Sequence, residues 1–378
     1  MVDLLRMFAS RFGSGPTILV RAPGRVNLVG EHTDYNDGLV LPVAIDREVR
    51  IAARPNGTDL FRLYATTYDA WAEFPAGSPD RILLEGWARY PQGVAVKLAD
   101  RGVRLVAADA VIAGDLPIGS GLSSSAALEV ASALAFEAAA GVQLAPRARA
   151  RLCWEAEVQW VGVPCGIMDQ FAATLCRRGH ALFLDCRSQE THHIPLPQDV
   201  VLAVCDTDVR RSVGDSAYAA RRQECAAAIH WLQARRDDVP SLRDLSVDDL
   251  PEVEAMPDPL RRRVRHVVTE NARVIESARA LEGGDLRGLR DIFLASHRSL
   301  REDYEVSCPE LDAMVEAALE APGCLAARMT GAGFGGAVVA VVRREVEEPF
   351  RTAVAEGYRR RMNRPGVFFT SEAAAGAQ

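Results

Sequence analysis

Pro117-Ile118-Gly119-Ser120-Gly121-Leu122-Ser123-Ser124-Ser125-Ala126-Ala127 is the stretch on which the reading of this chain turns. Its glycines free the backbone to take up positive φ and to approach a ligand closely. Its serines stand where a helix begins, ahead of Ala126, Leu128, Val130, Ala131, Leu134 and Ala135, small apolar residues suited to close packing on a sheet. The first amides of such a helix lack partners inside it, and phosphate is their natural guest. A merely well-capped helix is the plainer reading, but the glycines and the serine run exceed what capping requires. No lysine follows as in the G-x-x-x-x-G-K-[ST] loop, and the third glycine of the dinucleotide fingerprint is missing. The expected guest is a nucleotide phosphate, held in another way.

A second glycine loop, Thr330-Gly331-Ala332-Gly333-Phe334-Gly335-Gly336-Ala337, lies between strand-like stretches at 325–329 and 337–342. Alone it reads as a tight hairpin; with the first loop it points to a cleft between domains. Upstream, alternating or β-branched residues at 17–21, 39–43, 49–53, 61–65 and 103–112 predict strands of an antiparallel or mixed sheet, after a helix at 4–12. A polar, glycine-bounded loop at 30–38 interrupts them, and loops with fixed chemistry commonly carry a site. Downstream a helix is expected at 146–161 and strands at 181–185 and 200–206. The remainder predicts helices at 216–233, 262–282, 286–300, 309–319 and 348–362, a polar proline-bearing stretch at 237–259, and a last strand at 366–370. The pattern is that of an α+β protein of two domains, 1–205 and 206–378. Residues 371–378, small and carrying one charge, are expected to fray without a packing role.

The 378 residues, 48% hydrophobic and 25% charged, belong to a globular protein with enough chain for large cores. A net charge of -7 argues against a nucleic-acid partner, whose backbone needs a basic face. The run Arg261, Arg262, Arg263 and Arg265 reads as the solvated start of a helix rather than as such a face. The 8 cysteines sit singly, without CxxC pairs, which argues against thiolate-held metal and predicts free, mostly buried thiols in a reducing cytoplasm. No stretch approaches a membrane span and no cleavable leader pattern opens the chain, so neither a membrane partner nor export is expected. A monomer is the expected state, with a homodimer as the alternative.

Gly24-Arg25-Val26-Asn27-Leu28-Val29-Gly30-Glu31-His32-Thr33-Asp34-Tyr35-Asn36 resembles the galactokinase signature. The serine stretch resembles the ATP motif of the galacto-, homoserine, mevalonate and phosphomevalonate kinases, and 329–336 resembles that superfamily's third motif. Further similarity at 164–170, at Glu270-Asn271 with Arg273, and at 307–312 spreads the resemblance over nearly the whole chain. It implies a two-domain fold whose first domain is like the second domain of ribosomal protein S5, with ATP and sugar meeting in the cleft. It also implies that galactose and ATP become α-galactose 1-phosphate and ADP, with Mg²⁺ required. By motif, Arg25 and Asp169 are the catalytic pair, and Glu31, His32, Asp34, Gly166 and Tyr218 the sugar contacts. Ser125 and Glu157 are the Mg²⁺ contacts, while Gly119, Ser120, Gly121, Leu122, Ser123, Ser124 and Ser125 hold the phosphates.

Those residues are chemically suited to these roles. Glu31 and Asp34 can each accept from more than one sugar hydroxyl, and His32 can donate or accept. Asp169, among apolar neighbours, calls for a counter-charge such as Arg25. Val158 departs from the histidine or asparagine usual after the metal-contacting glutamate. The stretch 208–212 lacks the histidine often found before the tyrosine segment, so Tyr218 is identified by Ser216-Ala217-Tyr218 and Arg221-Arg222. Two competing readings are a kinase for a similar sugar, such as N-acetylgalactosamine or arabinose, and a galactose-sensing regulator. The regulator reading goes with an altered serine loop, and this one is intact.

Overall fold

Alternating apolar residues drive the first half into strands, and the computed structural model, which describes residues 4–117, 119–210, 214–236 and 238–378, shows how they pair. Helix α1 (Leu4–Phe12) precedes β1 (Ile18–Asn27), β2 (Leu39–Val40), β3 (Pro42–Pro55), β4 (Leu60–Ala65), β5 (Ala70–Pro75), α2 (Arg89–Asp100) and β6 (Ala108–Gly114). Five of these strands form a mixed sheet in the order β1-β3-β6-β4-β5, parallel only between β4 and β6. The β1–β3 register shifts between Pro23 and Arg25, an irregularity of the kind that re-aims a side chain beside a site. Helix α3 (Ser124–Ala140), opened by the serine stretch, packs on β1 and β3 and is buried almost all round, which its alanine-rich sequence permits.

Helix α4 (Pro146–Glu155) runs directly into a π-helical turn, Ala156–Val161, before α5 (Met168–Leu175). Strands β7 (His180–Asp185) and β8 (Thr191–Pro195) join β2 in a second, three-stranded sheet. After β9 (Val200–Asp206) come α6 (Gly214–Gln233), α7 (Leu250–Val253), α8 (Leu260–Gly283), α9 (Leu286–Glu302), α10 (Pro309–Glu320), β10 (Cys324–Thr330), β11 (Ala337–Arg343), α11 (Glu347–Met362) and β12 (Val367–Ser371). The third sheet has the order β10-β11-β9-β12. Strand β9 therefore does not close the first half as the sequence suggests. It is an interior strand of the last sheet, and a cut between residues 205 and 206 would separate it from its neighbours. Its alternate residues are all buried: Val200, Leu202 and Val204 join the core shared with the first sheet, while Val201, Ala203 and Cys205 face α10 and α11 residues such as Met314 and Tyr358.

One element was not expected, and two expectations change. Helix α2 escapes a periodicity reading because Pro91 and Gly93 interrupt it. The proline sits in the first turn, where its missing amide is harmless, and the glycine admits the Trp160 ring, whose Cδ1 would lie 2.8 Å from an added Cβ. The end of the chain is not frayed. Arg21 and Gln378 exchange backbone hydrogen bonds of 2.8 and 3.0 Å, Ala374 donates to Ala44, and Ala373 and Ala374 are buried. Small residues are what let this segment lie against the first domain. Finally, Arg263 is not solvated: it is buried and paired with Glu224 and Glu305, while Arg261, Arg262 and Arg265 pair with Asp258, Glu305 and Glu254. All eight cysteines are free thiols, six of them buried. Among the described residues no helix is long and apolar enough to cross a membrane.

Candidate functional site

The two glycine loops meet. A Cβ on Gly331 would lie 3.1 Å from the Gly121 carbonyl oxygen, and one on Gly336 would lie 3.1 Å from that of Ser120, so the two backbones touch without side chains between them. The second loop is also the β10–β11 hairpin, so its plain reading and its place at the cleft are both correct. Of the serine stretch, Ile118 lies outside the described residues, as do Arg211 and Ser212 of the segment before Tyr218. Ser123 occupies the cap position of α3 with φ 60° but makes no cap. Its hydroxyl donates instead to Asp169 Oδ2 at 2.5 Å, leaving the first amides of α3 without a side-chain acceptor.

Arg25 joins these parts. Its Nε and Nη2 approach Asp169 Oδ1 at 2.8 and 2.7 Å, and its Nη1 donates to the Gly121 carbonyl at 2.6 Å. The planar guanidinium thus spans the serine loop and the head of α5 at once. Arg25 and Asp169 line a cavity of about 450 Å³, within the ordinary range for small-molecule sites, together with Glu31, His32, Asp34 and Tyr218. Gly166 is needed there because a Cβ would fall 1.9 Å from Asp34 Oδ2. Burial and the neighbouring Asp169 carboxylate push Asp34 up to about 7.

The polar loop is held from far along the chain. Gly30, with φ 107°, passes so close to Leu39 that a Cβ would lie 2.6 Å from its carbonyl oxygen. Its amide donates to Glu270 Oε1 on α8 at 3.0 Å, and the Leu39 amide donates to Asn271 Oδ1 at 2.8 Å. Glu31 accepts from the Gly331 amide at 3.1 Å and the Thr330 hydroxyl at 3.2 Å, and pairs with the fully buried Arg328. Burial pushes the Glu31 carboxyl up against the pull of Arg328. Burial also raises Glu270, but Arg273 and Arg328 outweigh it and hold that carboxyl below the usual range. Arg328 was missed in the sequence reading, although a lone charge inside the apolar strand Cys324–Thr330 is the signal that could have found it.

Glu157 sits on the π-helical turn, buried, with hydrogen bonds to the hydroxyl of Ser125 and the amide of Gln170. Burial first, and then the Asp169 charge, raises its carboxyl. Gln170 also donates to Glu129 at 3.0 Å, a fully buried residue one turn beyond Ser125 on α3 whose carboxyl burial pushes well up. Ser125 and Glu157 offer oxygen atoms only, a donor set suited to a hard cation such as Mg²⁺. Among the described residues no group of three or more His, Cys, Asp or Glu could form a metal cage, so such an ion would need oxygens from its ligand. Beyond the serine loop lies a second hollow of about 210 Å³ lined by Tyr68, Trp87, Tyr90, Ser124, Ser125 and Leu128. None of its three aromatic residues is marked by the sequence: Trp87 and Tyr90 sit where the proline- and glycine-interrupted helix α2 begins, and Tyr68 joins them from the turn between β4 and β5.

Residues 6–55 match the galactokinase galactose-binding signature, 89–177 the N-terminal domain of the GHMP kinases and 277–360 their C-terminal domain. The galactokinase of Roseiflexus sp. (strain RS-1) is 44% identical over 99% of this chain and 96% of its own length. That of Canis lupus familiaris is 41% identical over 100% and 96%. The crystal structure of Lactococcus lactis galactokinase complexed with galactose superposes with a TM-score of 0.94 at 32% identity, covering 99% of this chain and 98% of that one. A mevalonate kinase at 16% identity and a TM-score of 0.66 shares the fold. With the serine stretch, the polar loop and both domains of the GHMP kinase fold present, and with such identity over nearly its full length, this chain belongs to the galactokinase family.

Proposed function

We propose that this protein transfers the γ-phosphoryl group of ATP to the anomeric hydroxyl of galactose, giving α-galactose 1-phosphate and ADP. The observation that carries the reading is the position of the Arg25–Asp169 pair, bonded on one side to the serine loop through Gly121 and Ser123 and open on the other to the cavity bearing Asp34. In this reading Asp34 accepts from sugar hydroxyls, and Glu31, His32, Gly166 and Tyr218 complete the wall. Residues 119–125 and the free amides of α3 hold the phosphates. The hollow at Tyr68, Trp87 and Tyr90 has room and aromatic surface for the base.

The anomeric oxygen forms its bond to the γ-phosphorus as the bond from that phosphorus to the β–γ bridging oxygen breaks, and ADP leaves. A sugar hydroxyl is far less acidic than a carboxylic acid, so its proton passes to Asp169 late, during a loose transfer. Arg25 fixes Asp169 and offsets charge on the transferring oxygens. Ser125 and Glu157 would hold Mg²⁺ together with the triphosphate, and the ion would supply neutralisation of the phosphate charge.

A coupled ADP-release assay over a panel of sugars tests the reading. Turnover should be strong with galactose and weak with glucose, arabinose and N-acetylgalactosamine. Binding of sugar and ATP without ADP release would favour a sensor. Chelation should abolish turnover while leaving the melting temperature of the ligand-free protein unchanged, and a large drop would mean that the metal belongs to the fold.

Asp34 makes galactose binding pH-dependent. Its carboxyl, raised to about 7, is largely protonated at pH 6, whereas hydroxyl donors favour the ionised form. Galactose should therefore bind about tenfold more weakly at pH 6 than at pH 8, with proton release that fades as pH rises through 7. Calorimetry in buffers of different ionisation enthalpy measures this. Asp34→Asn should bind weakly and without pH dependence, and an unchanged slope would assign the proton to another group.

A further inference from the structure

His32 lines the cavity, yet both of its ring nitrogens are already taken by protein atoms. Nε2 lies 3.1 Å from the carbonyl oxygen of Ala332 on the second glycine loop, and Nδ1 lies 2.8 Å from the Tyr35 hydroxyl. A carbonyl can only accept, so Nε2 carries the proton. Burial pulls the ring down to about 3, so it is neutral and Nδ1 is an acceptor. The direction of every further bond follows. Tyr35 donates to His32; its oxygen accepts from Tyr304 at 2.8 Å; and Tyr304 accepts from the Cys225 thiol at 3.1 Å. Tyr304 is fully buried and lies outside the cavity lining. Its ring also packs between those of His32 and His266, with centroids 4.7 and 4.5 Å away.

We propose that His32 serves the sugar site as a strut rather than as a ring ligand, and that Tyr304 is a positioning residue for galactose, acting through the relay Cys225–Tyr304–Tyr35–His32 to Ala332. The relay runs in one direction through four side chains and ends on the loop whose Gly331 amide also holds Glu31. Its effect is to set the distance between the polar loop and the second glycine loop, both of which wall the cavity. Tyr35 lies next to Asp34, so a change at Tyr304 is felt beside the sugar acceptor without any contact between Tyr304 and the sugar. The left-handed backbone of His32, φ 64°, is unusual for a residue with a side chain, and the two bonds to its ring supply the restraint that holds it.

The inference rests on assigning this cavity to galactose, and the test separates the two. Tyr304→Phe keeps the ring and its packing and removes the donor to Tyr35 together with the acceptor of the Cys225 thiol. It should raise the galactose KM about tenfold, through the loss of the buried hydrogen bond to Tyr35, and leave the ATP KM unchanged. A purely structural tyrosine would lower the melting temperature and leave the galactose KM alone, which would overturn the relay. In the unaltered protein, ¹⁵N-histidine NMR should show His32, assigned by its absence from His32→Gln, as the neutral Nε2–H tautomer at pH 7. Saturating galactose should leave its ring shifts in place. Ring shifts of the size that a new hydrogen bond produces would make His32 a sugar ligand and overturn the strut, and this arm stands even if Tyr304→Phe fails to fold. Asp34→Ala is the control. If it binds galactose normally, the cavity assignment fails and the proposal with it; if it alone loses galactose while Tyr304→Phe does not, only the relay fails.

Discussion

Asp169→Asn is expected to lower the rate of phosphoryl transfer about 10²–10⁴-fold, the usual contribution of a positioned proton acceptor, with galactose affinity little changed. The substitution isolates chemistry because its contacts can be kept. An asparagine oxygen can accept from Arg25 where Oδ1 does now, while its amide group donates to the Ser123 hydroxyl, which reverses its role. Shape and fold are thereby retained, and only the charge and the proton acceptor are lost. Arg25→Lys should fall between the parent and Arg25→Ala. A single ammonium cannot reproduce the fork that reaches Asp169 and the Gly121 carbonyl together. Single-turnover quench-flow beside calorimetry of galactose binding reads transfer free of product release. Transfer at the parent rate in Asp169→Asn, or a loss explained wholly by galactose binding, would remove Asp169 from the chemistry.

Arg328→Met should cost about 3–5 kcal/mol of folding stability, because it strands two carboxylates in the interior. Arg328 is fully buried between Glu31 and Glu270, and it also donates to the Leu28 carbonyl at 2.9 Å. Without it Arg273, 2.7 Å from Glu270, is the remaining counter-charge, and Glu31 keeps only its neutral donors. Carboxyls so placed bind protons more tightly in the fold than in the unfolded chain, so stability should fall as pH rises and the deficit should be larger at pH 8 than at pH 5.5. Urea unfolding of both proteins at the two pH values checks the size and the sign. A deficit below about 1 kcal/mol, or one that grows as pH falls, would show that this network carries little of the tie between the polar loop and the second domain. The galactose KM should rise as well, since the same guanidinium fixes Glu31.

Much of the site was legible because its chemistry is local. The serine stretch and the loop at 30–38 announce themselves by glycines where the backbone must bend or approach closely, and by polar residues too dense for packing. Arg25, Asp34, Asp169 and Gly166 are found together around one cavity as their motifs led one to expect. The helices of the second half were legible for a similar reason, since their apolar residues recur at helical spacing along α8, α9 and α10.

What escaped the sequence depends on partners far away in the chain. Arg328 meets Glu31 across 297 residues and Tyr304 meets Tyr35 across 269, so neither spacing marks a role. The same holds for β9, whose fully buried run fits any interior strand: only its pairing with β11 and β12 assigns it to the last sheet. The final residues look disposable by composition, yet a groove along Arg21, Ala44 and Cys176 offers their backbone hydrogen-bond partners. The sequence alone determined the family, the two glycine loops and the residue types that line the cavity between them, because backbone conformation and motif chemistry are written in consecutive residues. The tertiary structure alone decided which charges and hydroxyls hold those loops at working distance, because a buried donor or charge is satisfied by whatever the fold brings beside it.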